Sequence, residues 1–157
     1  MAIHRILVPI DFSPDSLHAL TYARDLAQRV GAELVIMHVV DQTYLAGSRE
    51  LYFANPEFAK LLDEQWRIAN TQLDRVGADL KKQRLRCRTL VKRGAPAQVI
   101  VDTAKDAGTD LIVMGTHGRT GLAHMLIGSV AERVVRTAHC PVLTVRRTPR
   151  KPRSSKK

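Results

Sequence analysis

Cysteine, aromatic residues and long apolar runs are all scarce in this sequence. Its two cysteines, Cys87 and Cys140, are too few for a disulfide framework. They read as small buried hydrophobes in a reducing compartment. No apolar stretch approaches the roughly 20 residues that cross a bilayer as a helix. Met1-Ala2-Ile3-His4-Arg5 leads straight into an apolar strand, without the basic start, apolar stretch and cleavage site of a secretory signal. A cytoplasmic protein is therefore expected. His4, His18, His38, His124 and His139 are scattered, and no His/Cys/Asp spacing points to a metal site. No serine sits in a nucleophile elbow with an acid and a histidine to follow. What is present is ordinary: 157 residues, 45% hydrophobic and 25% charged, enough for one domain with its own core and too few for two.

Acid is missing from one region in particular. Residues 146–157 hold Arg146, Arg147, Arg150, Lys151, Arg153, Lys156 and Lys157 and no Asp or Glu, so +7 of the net +10 lies there. The other 145 residues carry 18 basic and 15 acidic side chains, which excludes a basic nucleic-acid-binding body. The expected division is a domain over 1–146 and a basic, disordered tail over 147–157, punctuated by Pro149 and Pro152. With no aromatic residue and no helical pattern, the tail reads as solubilising. Its charge leaves contact with nucleic acid or an anionic membrane open.

Strand and helix patterns alternate along the rest. Ile3 to Ile10 is a nearly continuous apolar strand. Ser13-Pro14 opens a helix, Ser13 as N-cap and Pro14 in its first turn, with Leu17, Leu20, Ala23, Ala27 and Val30 as its apolar stripe and Gly31 just past its end. Ala32 to Val40 is a second strand. Asp41 to Pro56 lacks periodicity and holds Tyr44, Tyr52 and Phe53, as a loop packing its own aromatics or as an excursion over a site. Pro56 to Gln83 is a long helix in which Phe58, Leu61, Leu62, Trp66, Ala69, Leu73, Val76 and Leu80 recur at threes and fours and read as core. Arg84 to Val91 is a strand whose Arg84, Arg86 and Arg88 suit a charged edge. Pro96 starts a helix with Val99, Ile100, Thr103 and Ala104 inward. Asp110 to Met114, a helix from about Ser129 to Ala138, and Pro141 to Arg146 complete the series. Such alternation predicts an α/β fold: a parallel sheet with helices on both faces, joined by right-handed crossovers.

The stretch that carries chemistry is Met114-Gly115-Thr116-His117-Gly118-Arg119-Thr120-Gly121, with Gly128-Ser129-Val130-Ala131 after it. It joins a buried strand to a helix. Glycines there let main-chain N–H groups converge on an anion, and the helix adds its unpaired N-terminal N–H groups and the positive end of its dipole. The residues read either as a phosphate cradle closed by Ser129 as hydroxyl donor and helix N-cap, or as a flexible loop before a well-capped helix. There is no Gly-Lys-Ser/Thr, so this is not a P-loop, and no GxGxxG. Arg119 either neutralises a terminal phosphate or is a solvated loop arginine, and His117 faces the same choice. Asp11, at the end of the first strand, either meets a ribose or Mg²⁺ or caps the helix entry.

Gly115-x2-Gly118-x9-Gly128-Ser129 resembles the ATP-binding pattern of the universal stress protein family. Ile6-Leu7-Val8-Pro9-Ile10-Asp11-Phe12-Ser13, Val35-Ile36-Met37-His38-Val39-Val40-Asp41 and Cys140-Pro141-Val142-Leu143-Thr144-Val145 are similar to other blocks of that family, in the same order, from about residue 3 to 146. The resemblance implies a Rossmann-like sheet of order 3-2-1-4-5. Its order reverses between strands one and four, where ligands sit in such sheets. It implies ATP, with Mg²⁺, held by Pro9, Ile10, Asp11, Val39, Met114, Gly115, Thr116, His117, Gly118, Arg119, Gly128, Ser129, Val130 and Ala131. Pro9, Ile10 and Asp11 would line the ribose and base, Val39 would meet adenine through its main chain, and Met114 would touch the base. It also implies a homodimer through Val142, Leu143, Thr144 and Val145, and a nucleotide-dependent stress-response switch. With no residue placed to position an attacking water, little or no turnover is expected. An interaction scaffold without nucleotide and a slow Mg-dependent ATPase are the rival readings.

Overall fold

The computed structural model describes residues 2–43, 56–117 and 127–147. Strand β1 is Arg5–Pro9, helix α1 Pro14–Val30, β2 Glu33–Asp41, α2 Pro56–Lys82, β3 Cys87–Gly94, α3 Pro96–Asp106, β4 Leu111–Gly115, α4 Ser129–Thr137 and β5 Val142–Val145. The five strands form one parallel sheet in the order β3-β2-β1-β4-β5. Ile6, Leu7 and Val8 of β1 and Leu34 to Met37 of β2 are fully buried, because helices cover both faces of the sheet centre. One core joins Ile6, Val8, Leu34, Ile36 and Val113 to α1 and α2. The other joins Leu7, Val35, Met37, Ile112 and Met114 to α3 and α4. The order reverses between β1 and β4, as the resemblance implied. Residues 118–126, the 44–55 connection and the tail from Thr148 lie outside the described residues, so the expectations for Gly118, Arg119, the aromatic excursion and tail disorder do too.

Helix α1 starts as its sequence dictates. The Ser13 hydroxyl accepts from the Ser16 N–H at 3.2 Å, Pro14 follows, and Gly31 takes the left-handed conformation past the end, φ 71°. Its buried face is the expected one only in part: Ala23 and Ala27 are buried and Leu20 packs half-buried against the core, but Leu17 and Val30 do not. Ser16, Ala19, Ala23 and Ala27 point inward, while Leu17 and Val30 are 40% and 46% exposed. The cause is close approach: a Cβ on Gly115 would stand 3.0 Å from the Asp15 carbonyl carbon, so the start of α1 rests on the end of β4. Only small side chains fit beneath a helix held that near.

Three further expectations are corrected. In α2, Leu61 is 53% exposed and Phe58 and Trp66 are only half-buried; Leu62, Ala69, Leu73, Gly77 and Leu80 make the core face. Gly77 takes the place of a larger residue because a Cβ there would lie 2.8 Å from Thr89 Cγ2. Strand β3 begins at Cys87, not Arg84, because the end of α2 consumes the residues between. The Arg84 N–H donates to Lys81 C=O and the Leu85 N–H to Leu80 C=O, with Arg84 left-handed at φ 62°. In α4 the N-cap is Gly128, and Ser129 is the first helical residue with no side-chain cap bond. A hydroxyl one position late cannot reach back over the first turn.

The two cysteines are free, half-buried, and set at opposite sides of the sheet, Cys87 on β3 and Cys140 just before β5. Burial pushes both thiols up, which keeps them protonated and unreactive. Asp110 pins the other end of the sheet: its Oδ2 accepts from the His4 and Arg5 N–H groups at 2.8 and 2.9 Å, and those bonds hold its carboxyl below the ordinary range.

Candidate functional site

The carboxyl ends of β1, β2 and β4 open into one cavity of about 840 Å³. Its wall includes Pro9, Ile10, Asp11, Val39, Met114, Gly115, Thr116, His117, Gly128, Ser129, Val130 and Ala131. These are the twelve described residues named from the sequence, and four separate stretches of chain supply them. The crevice rule for parallel sheets puts a ligand at this spot, because helices on opposite faces diverge where the strand order reverses.

The β1 side is built by a turn. Phe12 has φ 63°, a left-handed conformation that swings the chain away from β2. Asp11 steadies that turn twice over. Its Oδ1 accepts from the Ser13 N–H at 3.0 Å, and its own N–H donates to Ser16 Oγ at 3.3 Å. The helix-entry reading of Asp11 therefore holds, and its carboxylate stands on the cavity wall as well. His38 is 8% exposed, stacks on Phe12 with ring centroids 5.0 Å apart, and meets Ile10 C=O through Nδ1 at 2.8 Å.

The β4 side is a pinned loop. The Thr116 N–H donates to Val145 C=O at 3.2 Å, and the Gly128 N–H donates to Thr116 C=O at 2.6 Å, so both ends of the glycine-rich segment are fixed at one point. Gly115 has a reason of its own for being glycine, the contact with Asp15 described above. His117 Nδ1 lies 2.9 Å from Thr116 Oγ1 and 3.5 Å from Asp15 Oδ2, and Arg147 Nε lies 3.7 Å from Asp15 Oδ1. Both neighbours approach the same ring nitrogen. A proton relay needs partners on opposite nitrogens, so the trio does not form one.

Helix α2 supplies a further wall, of which the sequence reading named only Phe58, Leu61 and Ala69, and those as core. Phe58, Leu61, Gln65, Ile68 and Gln72 line the cavity. Their spacing of three and four marks one helical stripe, but nothing in periodicity tells a stripe facing a cavity from one facing a sheet. Ser16 and His38 were missed also, being one small residue in a helix and one histidine in an apolar strand. Among the described lining residues the charged side chains are Asp11 and Asp41, with no lysine or arginine. No cluster of three or more His, Cys, Asp or Glu suited to a metal occurs among the described residues. Nor is any helix among them long and apolar enough to cross a membrane.

The sequence pattern of the Universal stress protein family matches residues 2–146. This chain belongs to that family. It is 39% identical over 148 residues to Universal stress protein MJ0531 of Methanocaldococcus jannaschii, covering 91% of this chain and 82% of that protein. It is 30% identical to Universal stress protein MJ0577 of the same organism, covering 91% and 94%. A solved structure of MJ0577 superposes with a TM-score of 0.82, at 28% identity over 94% of this chain and 99% of that one. A crystal structure of a universal stress protein in complex with cAMP has a TM-score of 0.60 at 27% identity, over 94% of this chain and all of that one. The family's fold is therefore this chain's fold, sheet order included.

Proposed function

We propose that this universal stress protein binds ATP in the cavity and uses occupancy as a switch, with little or no turnover. The supporting observation is convergence: four stretches, spread from Pro9 to Ala131, wall one cavity at the reversal of strand order. The relative solved with cAMP carries an adenine nucleotide on the same fold. Adenine and ribose face Val39, Ile10 and Asp11. The phosphates face the Gly115 to Arg119 stretch and the N-terminus of α4, where Ser129, Val130 and Ala131 offer main-chain N–H groups while the Gly128 N–H is held by Thr116 C=O.

Charge sets a condition on that ligand. The described wall bears two carboxylates and no cation, so a bare triphosphate is repelled there. Asp11 would hold Mg²⁺ there, and the ion would lower the negative charge that the ligand presents to this wall; Arg119 would add a positive charge from the glycine-rich stretch. Protein purified without denaturant, heated to release its ligand and run on anion exchange should yield adenine nucleotide. Calorimetry on the emptied protein should then show Mg-ATP binding.

The dimer belongs to the same proposal. β5 is an edge strand with Leu143 42% exposed, and Val135 of the adjacent α4 is 49% exposed. Two such edges pairing antiparallel cover both. Leu143→Lys should yield a monomer by light scattering. If the glycine variants described below kept the dimer and its partners unaltered, the scaffold reading would replace the switch. Phosphate release abolished by Asp11→Ala would favour an ATPase.

A further inference from the structure

In a parallel ladder the N–H and C=O of a residue point to the same side, and successive residues alternate. In β2 the Glu33 N–H donates to His4 C=O on the β1 side, and the Leu34 N–H to Arg86 C=O on the β3 side. Val35, Met37 and Val39 therefore face β1. The Ile10 N–H reaches Met37 C=O at 2.8 Å. The next rung would run from the Val39 N–H to Ile10 C=O. It is not made: the paired register ends at Pro9 with Met37. Ile10 C=O accepts instead from His38 Nδ1 at 2.8 Å. A carbonyl can only accept, so Nδ1 carries the proton. Phe12, stacked on the same ring, turns the chain off the line of β1 beyond that point.

We infer that His38 is a positioning residue: by taking Ile10 C=O, it ends the β1–β2 ladder one rung early and leaves the main-chain edge of Val39 for a ligand. Val39 lines the cavity beside Ile10 and His38. An N–H next to a C=O suits a planar ring edge with an acceptor beside a donor, as adenine offers at N1 and its amino group. A main-chain donor left without a partner in a half-buried wall costs free energy, which a ligand edge recovers on binding. The identity of the ligand rests on the ATP reading; the open edge does not.

The test is amide hydrogen exchange, read by NMR on the ligand-free full chain, beside Mg-ATP calorimetry. In the wild type the Val39 amide should exchange at least about tenfold faster than those of Val35 and Met37, which are ladder-bonded. His38→Leu removes the competing donor, so Val39 should close on Ile10 C=O, slow by about tenfold, and bind Mg-ATP about tenfold more weakly. His38→Asn keeps an N–H at the place of Nδ1 and should hold both readings within about threefold of wild type. A Val39 amide already as protected as Met37, or one that His38→Leu leaves unchanged or speeds, overturns the inference. If His38→Leu does not fold, the wild-type comparison and the asparagine variant decide it. If the wild type binds no nucleotide, the ATP reading falls, and the exchange result still decides the role of His38.

Discussion

The two sides of the cavity are made by different means. On the β4 side, small residues do the work: Gly115 lets α1 come close, and Gly128 closes the loop onto Thr116 C=O. On the β1–β2 side, ordinary side chains bend the main chain: Phe12 goes left-handed, Asp11 and Ser16 brace the turn, and His38 takes a carbonyl from the ladder. One side depends on the absence of side chains and the other on their hydrogen bonds. Substitutions should therefore fail differently on the two sides.

The largest effect should come from Gly115→Val. Its Cβ would press on the Asp15 backbone at 3.0 Å, and helix backbone does not yield as a side-chain tip does. Overpacking of this kind costs about 1–3 kcal/mol, visible as a lower urea midpoint, with nucleotide binding lost alongside. Gly128→Val should separate the two properties. Gly128 has φ −74° and ψ 154°, which valine adopts freely, so the melting temperature should move by only a few degrees. Binding of Mg-ATP by calorimetry should weaken by at least about tenfold, because the added methyls stand where the phosphates approach. A variant that melts like wild type and still binds would show that the β4 side does not depend on bareness.

On the other side, Ser13→Ala should cost about 1 kcal/mol by losing the cap on the Ser16 N–H. Its nucleotide affinity should fall by less than that of Gly128→Val, since Asp11 keeps its own bond to the Ser13 N–H. The smallest effect is one of pH. Asp110 has its carboxyl held low by the His4 and Arg5 N–H groups. A depressed folded value means the unfolded chain binds the proton more readily. The stability it contributes is complete above the ordinary aspartate range and is lost as pH falls through the folded value. Asp110→Asn should therefore narrow the stability difference between neutral and acidic solution in urea titrations. Its exposure keeps that contribution small.

The same contrast explains what could be read from residues alone. Gly115, Gly128 and the strand–loop–helix change of period mark the β4 side in plain letters. Ser13-Pro14 and Gly31 bound α1 for the same reason, that each residue type answers one backbone need. The part of His38 could not be read, because it depends on which carbonyl lies beside an imidazole in the folded chain. The same holds for the cavity stripe of α2: Leu61 and Ile68 stand seven residues apart on one helical face, and which face meets the cavity is set only by the packing of the folded chain. At the start of α1 the buried positions are Ser16 and Ala19 rather than Leu17 and Leu20, because Gly115 admits the helix so near that small residues outrank leucines at the contact; Ala23 and Ala27 follow the expected stripe. Ser129 missed its capping place by one residue, an error that sequence alone cannot correct where glycine and serine both cap well.

The most direct test of the account is the nucleotide content of the protein as isolated. Material purified without denaturant, heated and separated on anion exchange should release adenine nucleotide in an amount approaching one per chain, and the emptied protein should take up Mg-ATP again by calorimetry. Isolated protein free of nucleotide, together with no heat signal on adding Mg-ATP, would contradict it.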